Sequence, residues 1–165
     1  MNFEAGISSD LAMVLRLCGA TMAGYIIGLE RRWHGHPAGD RTFALTSLGA
    51  ALFALISLRA FPVGDARVAA GVVTGLGFLG AGMILRGQGT QVRGLTTAAG
   101  IWTAGAIGLA IGSGLWLLGI TGTVLALFLL ASEALFRIDR RIEAARERRE
   151  REKEKLEQPE GAKSE

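Results

Sequence analysis

Five apolar stretches set the terms for what this chain can become. A helix needs about 20 mostly apolar residues to cross a bilayer. The chain offers five candidates, at about 11–29, 42–61, 68–85, 95–112 and 115–136. Arg16 interrupts the first, and Glu133 stands near the end of the fifth. The third and fourth are short for a tilted span and rich in glycine. Packed as a soluble bundle, five such helices would leave almost no polar face for water. The expected fold is therefore an all-α integral membrane protein, with five transmembrane helices and a charged C-terminal helical tail. With 50% of residues apolar the chain is not disordered by composition, and with one cysteine it is not a disulfide-stapled domain.

Charge divides the chain in two. Residues 1–136 hold 8 Arg, no Lys and 6 acids, whereas residues 137–165 hold 10 basic and 9 acidic residues. This separates a transmembrane domain, 1–136, from a charged cytoplasmic tail, 137–165. The arginines of the first part are too scattered for a nucleic-acid surface, and no nucleic-acid partner is expected. They are better read as topology signals. Arg31, Arg32 and Arg41 lie between spans one and two, Arg86 and Arg93 between spans three and four, and the tail follows span five. Only Arg59 and Arg67 fall on the other side. The positive-inside rule then puts the N-terminus outside and the C-terminus in the cytoplasm. Met1-Asn2-Phe3-Glu4 has no basic n-region, so span one is expected to be retained rather than cleaved as a signal peptide. The tail reads as one helix from 137 to 158 with Glu147–Arg151 and Glu150–Lys153 pairs, and disorder is expected from about 159.

Small residues recur every fourth position inside the spans: Ala20, Gly24 and Gly28 in the first, and Gly100, Ala104, Gly108 and Gly112 in the fourth. Such stripes let helix backbones approach closely in lipid. They serve packing within the chain, a homo-oligomer face or a narrow pore. The run from Gly71 to Gly82 weakens helix propensity and would permit a kink.

The polar candidates gather in two loops. In the first, Glu30 and Arg31 close span one, and Asp40, Arg41 and Thr42 open span two. Thr42 or Asp40 is expected to cap span two, Thr42 being favoured for the cap and Asp40 suiting the positive end of its dipole. A Glu30–Arg41 or Asp40–arginine ion pair is expected, because charges near the bilayer usually pair or line a wet cavity. Glu30 and Asp40 are weak candidates for a magnesium site, since that ion prefers oxygen ligands. His34 and His36 lack the further ligands that zinc requires. In the second loop, Arg86 and Arg93 suit phosphates or the carboxylates of the first loop. Thr96 and Thr97 cap span four or present hydroxyls to a cavity. No P-loop pattern is present. Arg93 and Thr96 faintly echo Arg41-Thr42, as in a parallel repeat. Arg16 either snorkels outward or faces the bundle. Cys18 is expected to be buried. No nucleophile–base set is visible, so neither an enzyme nor a cofactor is expected.

Two segments resemble the signatures of the MgtC/SapB family of membrane proteins. One is Gly24-Tyr25-Ile26-Ile27-Gly28-Leu29-Glu30-Arg31-Arg32 with Pro37-Ala38-Gly39-Asp40-Arg41-Thr42. The other is Gly75-Leu76-Gly77-Phe78-Leu79-Gly80-Ala81-Gly82-Met83-Ile84-Leu85 with Val92-Arg93-Gly94-Leu95-Thr96-Thr97-Ala98-Ala99 and Trp102. The resemblance covers roughly residues 11–131. It implies an inner-membrane protein of about five spans, active in magnesium or membrane-energy homeostasis, with MgtC members linked to survival in macrophages and to control of the ATP synthase. That makes the ATP synthase the implied membrane partner. The sequence departs from the family pattern at Asp40, where Leu is common, and at Thr96, where MgtC carries Asn. The charged tail stands in place of the MgtC soluble domain. The alternative function is a magnesium or other cation transporter or channel.

Overall fold

In the computed structural model, residues 3–61, 66–86 and 92–132 are described, with side chains for 10–61, 66–84 and 94–132. The elements are α1 (Phe3–Trp33), α2 (Asp40–Ala60), α3 (Ala66–Met83), β1 (Leu85–Arg86), β2 (Val92–Arg93), α4 (Leu95–Gly112) and a shorter apolar helix, α5 (Trp116–Ser132). The first four helices are long and apolar enough to cross a membrane. All five expected spans are thus helices. The stretch from 133 to 136, the charged tail and its expected disorder lie outside the described residues. So do the side chains of Arg86 and Arg93.

The first expected span is longer than 11–29. The 31 residues of α1 rise about 46 Å at 1.5 Å each, more than the hydrocarbon thickness. The third runs Ala66–Met83 without interruption, so its glycines do not break it. In lipid no water competes for the i→i−4 bonds, and the helical ladder must close within the segment.

Residues through Leu130 form one compact unit built around α2. The small-residue stripes explain how. A Cβ on Gly24 would overlap the Phe43 carbonyl oxygen and lie 2.8 Å from the Ser47 Cβ. On Gly28 it would meet the Asp40 Cα at 2.6 Å, so α1 runs antiparallel to α2 in backbone contact. From the other side, Gly108 abuts the Ser47 carbonyl and Gly112 lies against the Ala51 Cα, with α4 parallel to α2. Phe43 fills the space over Gly100, 3.1 Å from the position of its missing Cβ. The stripes of α1 and α4 are therefore used within the chain. The core between them holds Ala20, Ile27, Phe43, Ala51, Ile101 and Ala104. α5 packs through Gly119 and Gly122 onto Ile111 and Ile107 of α4. Helix α3 is antiparallel to α4, with Gly80 against Ala98, and buries only Leu76 and Gly80 of its own residues.

The exposed face is apolar throughout the spans: Leu45, Phe78, Leu117 and Phe128 all point outward, Phe78 with 82% of its surface free. Cys18 belongs to this face and is exposed, contrary to expectation. In a membrane protein an apolar side chain gains as much from lipid as from the interior, so the soluble-protein rule for cysteine does not carry over.

Candidate functional site

The polar end of the molecule is built by two turns. α1 stops because Gly35 adopts a left-handed conformation at φ 73°. The Gly35 N–H donates to the Arg32 carbonyl and the His36 N–H to the Arg31 carbonyl, both at 3.0 Å. These are the two bonds of a Schellman motif, and Pro37 follows where the helix cannot continue. Three residues later α2 begins. Its N-cap is Gly39, with no side-chain cap. Thr42 is thus not the cap; it sits in the first turn, exposed, and its carbonyl accepts from the Thr46 hydroxyl at 2.8 Å. α2 starts hard against Gly28 of α1, whose missing Cβ would lie 2.7 Å from the Gly39 carbonyl oxygen, while a Cβ on Gly39 itself would meet only the Arg32 side chain at ordinary contact distance.

This close approach joins the charged residues in pairs. Arg32 Nη1 donates to Asp40 Oδ2 at 2.9 Å across the loop. Asp40 lies in the first turn of α2, where the helix dipole favours an anion. Glu30 Oε2 is 3.6 Å from Arg31 Nη1, and Glu30 Oε1 is 3.0 Å from His34 Nδ1, an ion pair when the imidazole is protonated. His34 Nδ1 also lies 2.9 Å from the Glu30 carbonyl oxygen. Arg31 is completely buried, and both carboxylate oxygens of Glu30 are buried without accepting a hydrogen bond. Burying a charged pair is costly unless its geometry is well satisfied.

Other expectations fare differently. The Asp40–arginine pair exists, with Arg32 as the arginine. The Glu30–Arg41 pair does not: Arg41 is exposed and stands in no ion pair among the described residues. Glu30 instead has Arg31 and His34 beside it. Thr96 is exposed and Thr97 is 2% exposed, but neither caps α4. That cap is Gly94, at φ 93°, packed so closely that a Cβ would overlap the Met83 carbonyl oxygen. The hairpin between α3 and α4 pairs Leu85 with Arg93 and Arg86 with Val92, which brings the two arginine backbones to one short ribbon. This ribbon was not legible in the sequence. Among the described residues no three His, Cys, Asp or Glu come together as a metal site, and Glu30 and Asp40 each face a different cation.

Arg16 belongs to the opposite end. Its Nη1 donates to the Gly112 carbonyl at 3.3 Å, and the guanidinium lies against Gly114, whose φ of 85° closes a second Schellman turn. It faces the bundle and satisfies the negative end of α4 rather than snorkelling. At this end Arg59 also meets Asp10 at 3.4 Å.

The part of the chain that builds the charged end lies within the region similar to known proteins. The model of the MgtC family matches residues 17–137, from the middle of α1 past the end of α5. SrpB of Synechococcus elongatus is 44% identical over 137 residues, covering 73% of this chain and 74% of SrpB. MgtC of Salmonella typhimurium LT2 is 43% identical over 128 residues, covering 76% of this chain and 55% of MgtC. The Escherichia coli K12 protein named "Putative magnesium transporter YhiD" is 46% identical over 127 residues, covering 71% of this chain and 58% of its own. The chain thus spans little more than half the length of MgtC and YhiD. No solved structure matches it. With a matched region that takes in the Glu30–Asp40 turn, the glycine-packed α2 and the Gly94 hairpin, this membrane protein belongs to the MgtC family.

Proposed function

We propose that the chain is a multi-pass protein of the bacterial inner membrane, N-terminus outside and C-terminus in the cytoplasm, that acts in magnesium or membrane-energy homeostasis by regulating a membrane partner. Its role is to present a surface, without catalysis. The observation that carries this reading is the Glu30–Arg31–Arg32–Asp40 cluster on a rigid support. Its charges sit on two helices in backbone contact at Gly24 and Gly28, which fixes the spacing of the backbones that carry them. The arginine-rich loops, including Arg86 and Arg93, support the cytoplasmic assignment of this end. The name of YhiD supports the link to magnesium. A strain lacking its own MgtC-type protein, grown at limiting magnesium, tests the surface. Glu30→Ala and Arg41→Ala are expected to insert into the membrane and to fail to restore growth. Full growth with both variants would refute the assignment.

A second reading, cation transport, is favoured by one feature: the buried Glu30 oxygens that accept no hydrogen bond. Transport would route the ion past Glu30 and Asp40 and the Thr96–Thr97 hydroxyls. It requires flux by the protein alone, which regulation does not.

A further inference from the structure

Apart from Gly80, the glycines of α3 behave unlike those of α1 and α4. A Cβ on Gly71, Gly75 or Gly82 would meet nothing within 4 Å, whereas those on Gly24, Gly28, Gly108 and Gly112 press on backbone. Between α3 and α2 lies a furrow of about 550 Å³, walled by Leu45, Gly49 and Phe53 on one side and Gly71, Gly75 and Leu79 on the other. That volume falls within the roughly 300–1,000 Å³ of small-ligand sites. The furrow runs along two membrane-spanning helices and is almost wholly apolar, so its surroundings are acyl chains rather than water.

What decides the occupant stands at the rim. Leu45, Gly49 and Phe53 form one row along α2 at four-residue spacing, and Arg41 begins the same row one turn earlier. A helical side chain covers the surface N-terminal to its own Cα, so Arg41 reaches toward the headgroup level. Around it the other described cations of this end are engaged: Arg31 is buried beside Glu30, and Arg32 holds Asp40 at 2.9 Å. Arg41 alone among them is exposed and in no ion pair. The ends of α3 and α4 that meet at Gly80 and Ala98 lie at this same end, so the ribbon carrying Arg86 and Arg93 is on the same side by backbone position. We infer that this furrow is a binding site for an anionic phospholipid, with one acyl chain between α2 and α3 and the phosphate at Arg41. The inference rests only on the membrane assignment, not on the regulatory reading.

The test uses the purified full chain, delipidated in detergent and given an equimolar mixture of palmitoyl-oleoyl phosphatidylglycerol and phosphatidylcholine. Native mass spectrometry counts the lipids retained. Phosphatidylglycerol is expected to be retained at least fivefold over phosphatidylcholine. Arg41→Gln should abolish the preference and Arg41→Lys should keep most of it. Gly75→Leu, placed where a side chain has free space, should reduce retention of both lipids with helical content unchanged. A phosphatidylglycerol carrying a mid-chain photoactivatable group, used on the unmodified protein, should label α2 and α3 between Leu45 and Leu79. Equal retention of the two lipids would overturn the proposal, as would a preference intact in Arg41→Gln or labelling confined to other helices. A dimer broken by Gly75→Leu with lipid retention unchanged would also overturn it, and would assign the furrow to a second copy of the chain.

Discussion

Two glycine substitutions should have opposite signs. At Gly108 an added Cβ would overlap the Ser47 carbonyl oxygen and lie 2.8 Å from the Ser47 carbonyl carbon and Cα. These are backbone atoms of α2, so no rotamer change relieves the clash. Bringing even the 2.8 Å contacts to 3.4 Å requires α2 and α4 to separate by about 0.6 Å, and the overlap with the carbonyl oxygen requires more. That shift would loosen neighbouring contacts along α2, including Ala51 on Gly112. Overpacking of this kind costs about 1–3 kcal/mol. At Gly75 the same methyl meets nothing within 4 Å, and α3 gains up to about 1 kcal/mol of helix propensity. The expected gap between Gly108→Ala and Gly75→Ala is therefore about 1–4 kcal/mol, since the two effects add for independent sites. Equilibrium unfolding in mixed micelles, followed by the fluorescence of Trp102 and Trp116, measures it. Equal stability of the two variants, or a destabilised Gly75→Ala with an unaffected Gly108→Ala, would refute the account of α2 as the helix clamped from both sides.

Other substitutions follow from the same contacts. Arg16→Gln removes the donor to the Gly112 carbonyl and the cation at the end of α4, and should cost about 1–2 kcal/mol in the same unfolding assay. Gly94→Ala combines a φ of 93° with overlap on Met83 and should cost more than about 1 kcal/mol, visible as loss of folded protein on size-exclusion chromatography. Arg32→Ala breaks an ion pair whose arginine is 65% exposed and should cost less than about 1 kcal/mol, whereas Arg31→Ala strips a buried partner from Glu30 and should cost about 3–5 kcal/mol; thermal unfolding separates the two. In a Cys18→Ser background, His36→Cys should react with an impermeant maleimide only from the cytoplasmic side and Ser113→Cys, at an exposed position, only from the outside; the reverse pattern would invert the topology.

What was legible in the sequence was whatever depends on helix periodicity. The four-residue spacing of small residues marked the faces of α1 and α4 that α2 fills, although spacing alone did not say whether the neighbour lay in the same chain. The caps of α2 and α4 differ from the expected ones. Thr42 and Thr96 carry the hydroxyls that usually cap helices, but α2 starts one turn earlier, from Gly39 beside Gly28 of α1, and α4 starts from Gly94, where a positive φ and the passing Met83 carbonyl admit only a residue without Cβ. The pairing of Glu30 was half legible: His34 follows it at i+4, a spacing that brings side chains together, while Arg31 is adjacent in sequence and ordinarily faces elsewhere. Cys18 was misread because burial rules learned in water reverse where the solvent is lipid. The furrow between α2 and α3 had no sequence signal, since glycines that admit a neighbour and glycines that leave space look the same until the neighbour is known.

The central claim is that the charged end of this MgtC-family protein acts on a partner and does not itself conduct. Magnesium uptake into liposomes holding only this protein, with orientation checked by protease access to the tail, tests it most directly. The account predicts uptake no faster than into protein-free liposomes. Uptake that exceeds this background, and falls in Glu30→Ala and Asp40→Ala, would contradict it and make the chain a transporter.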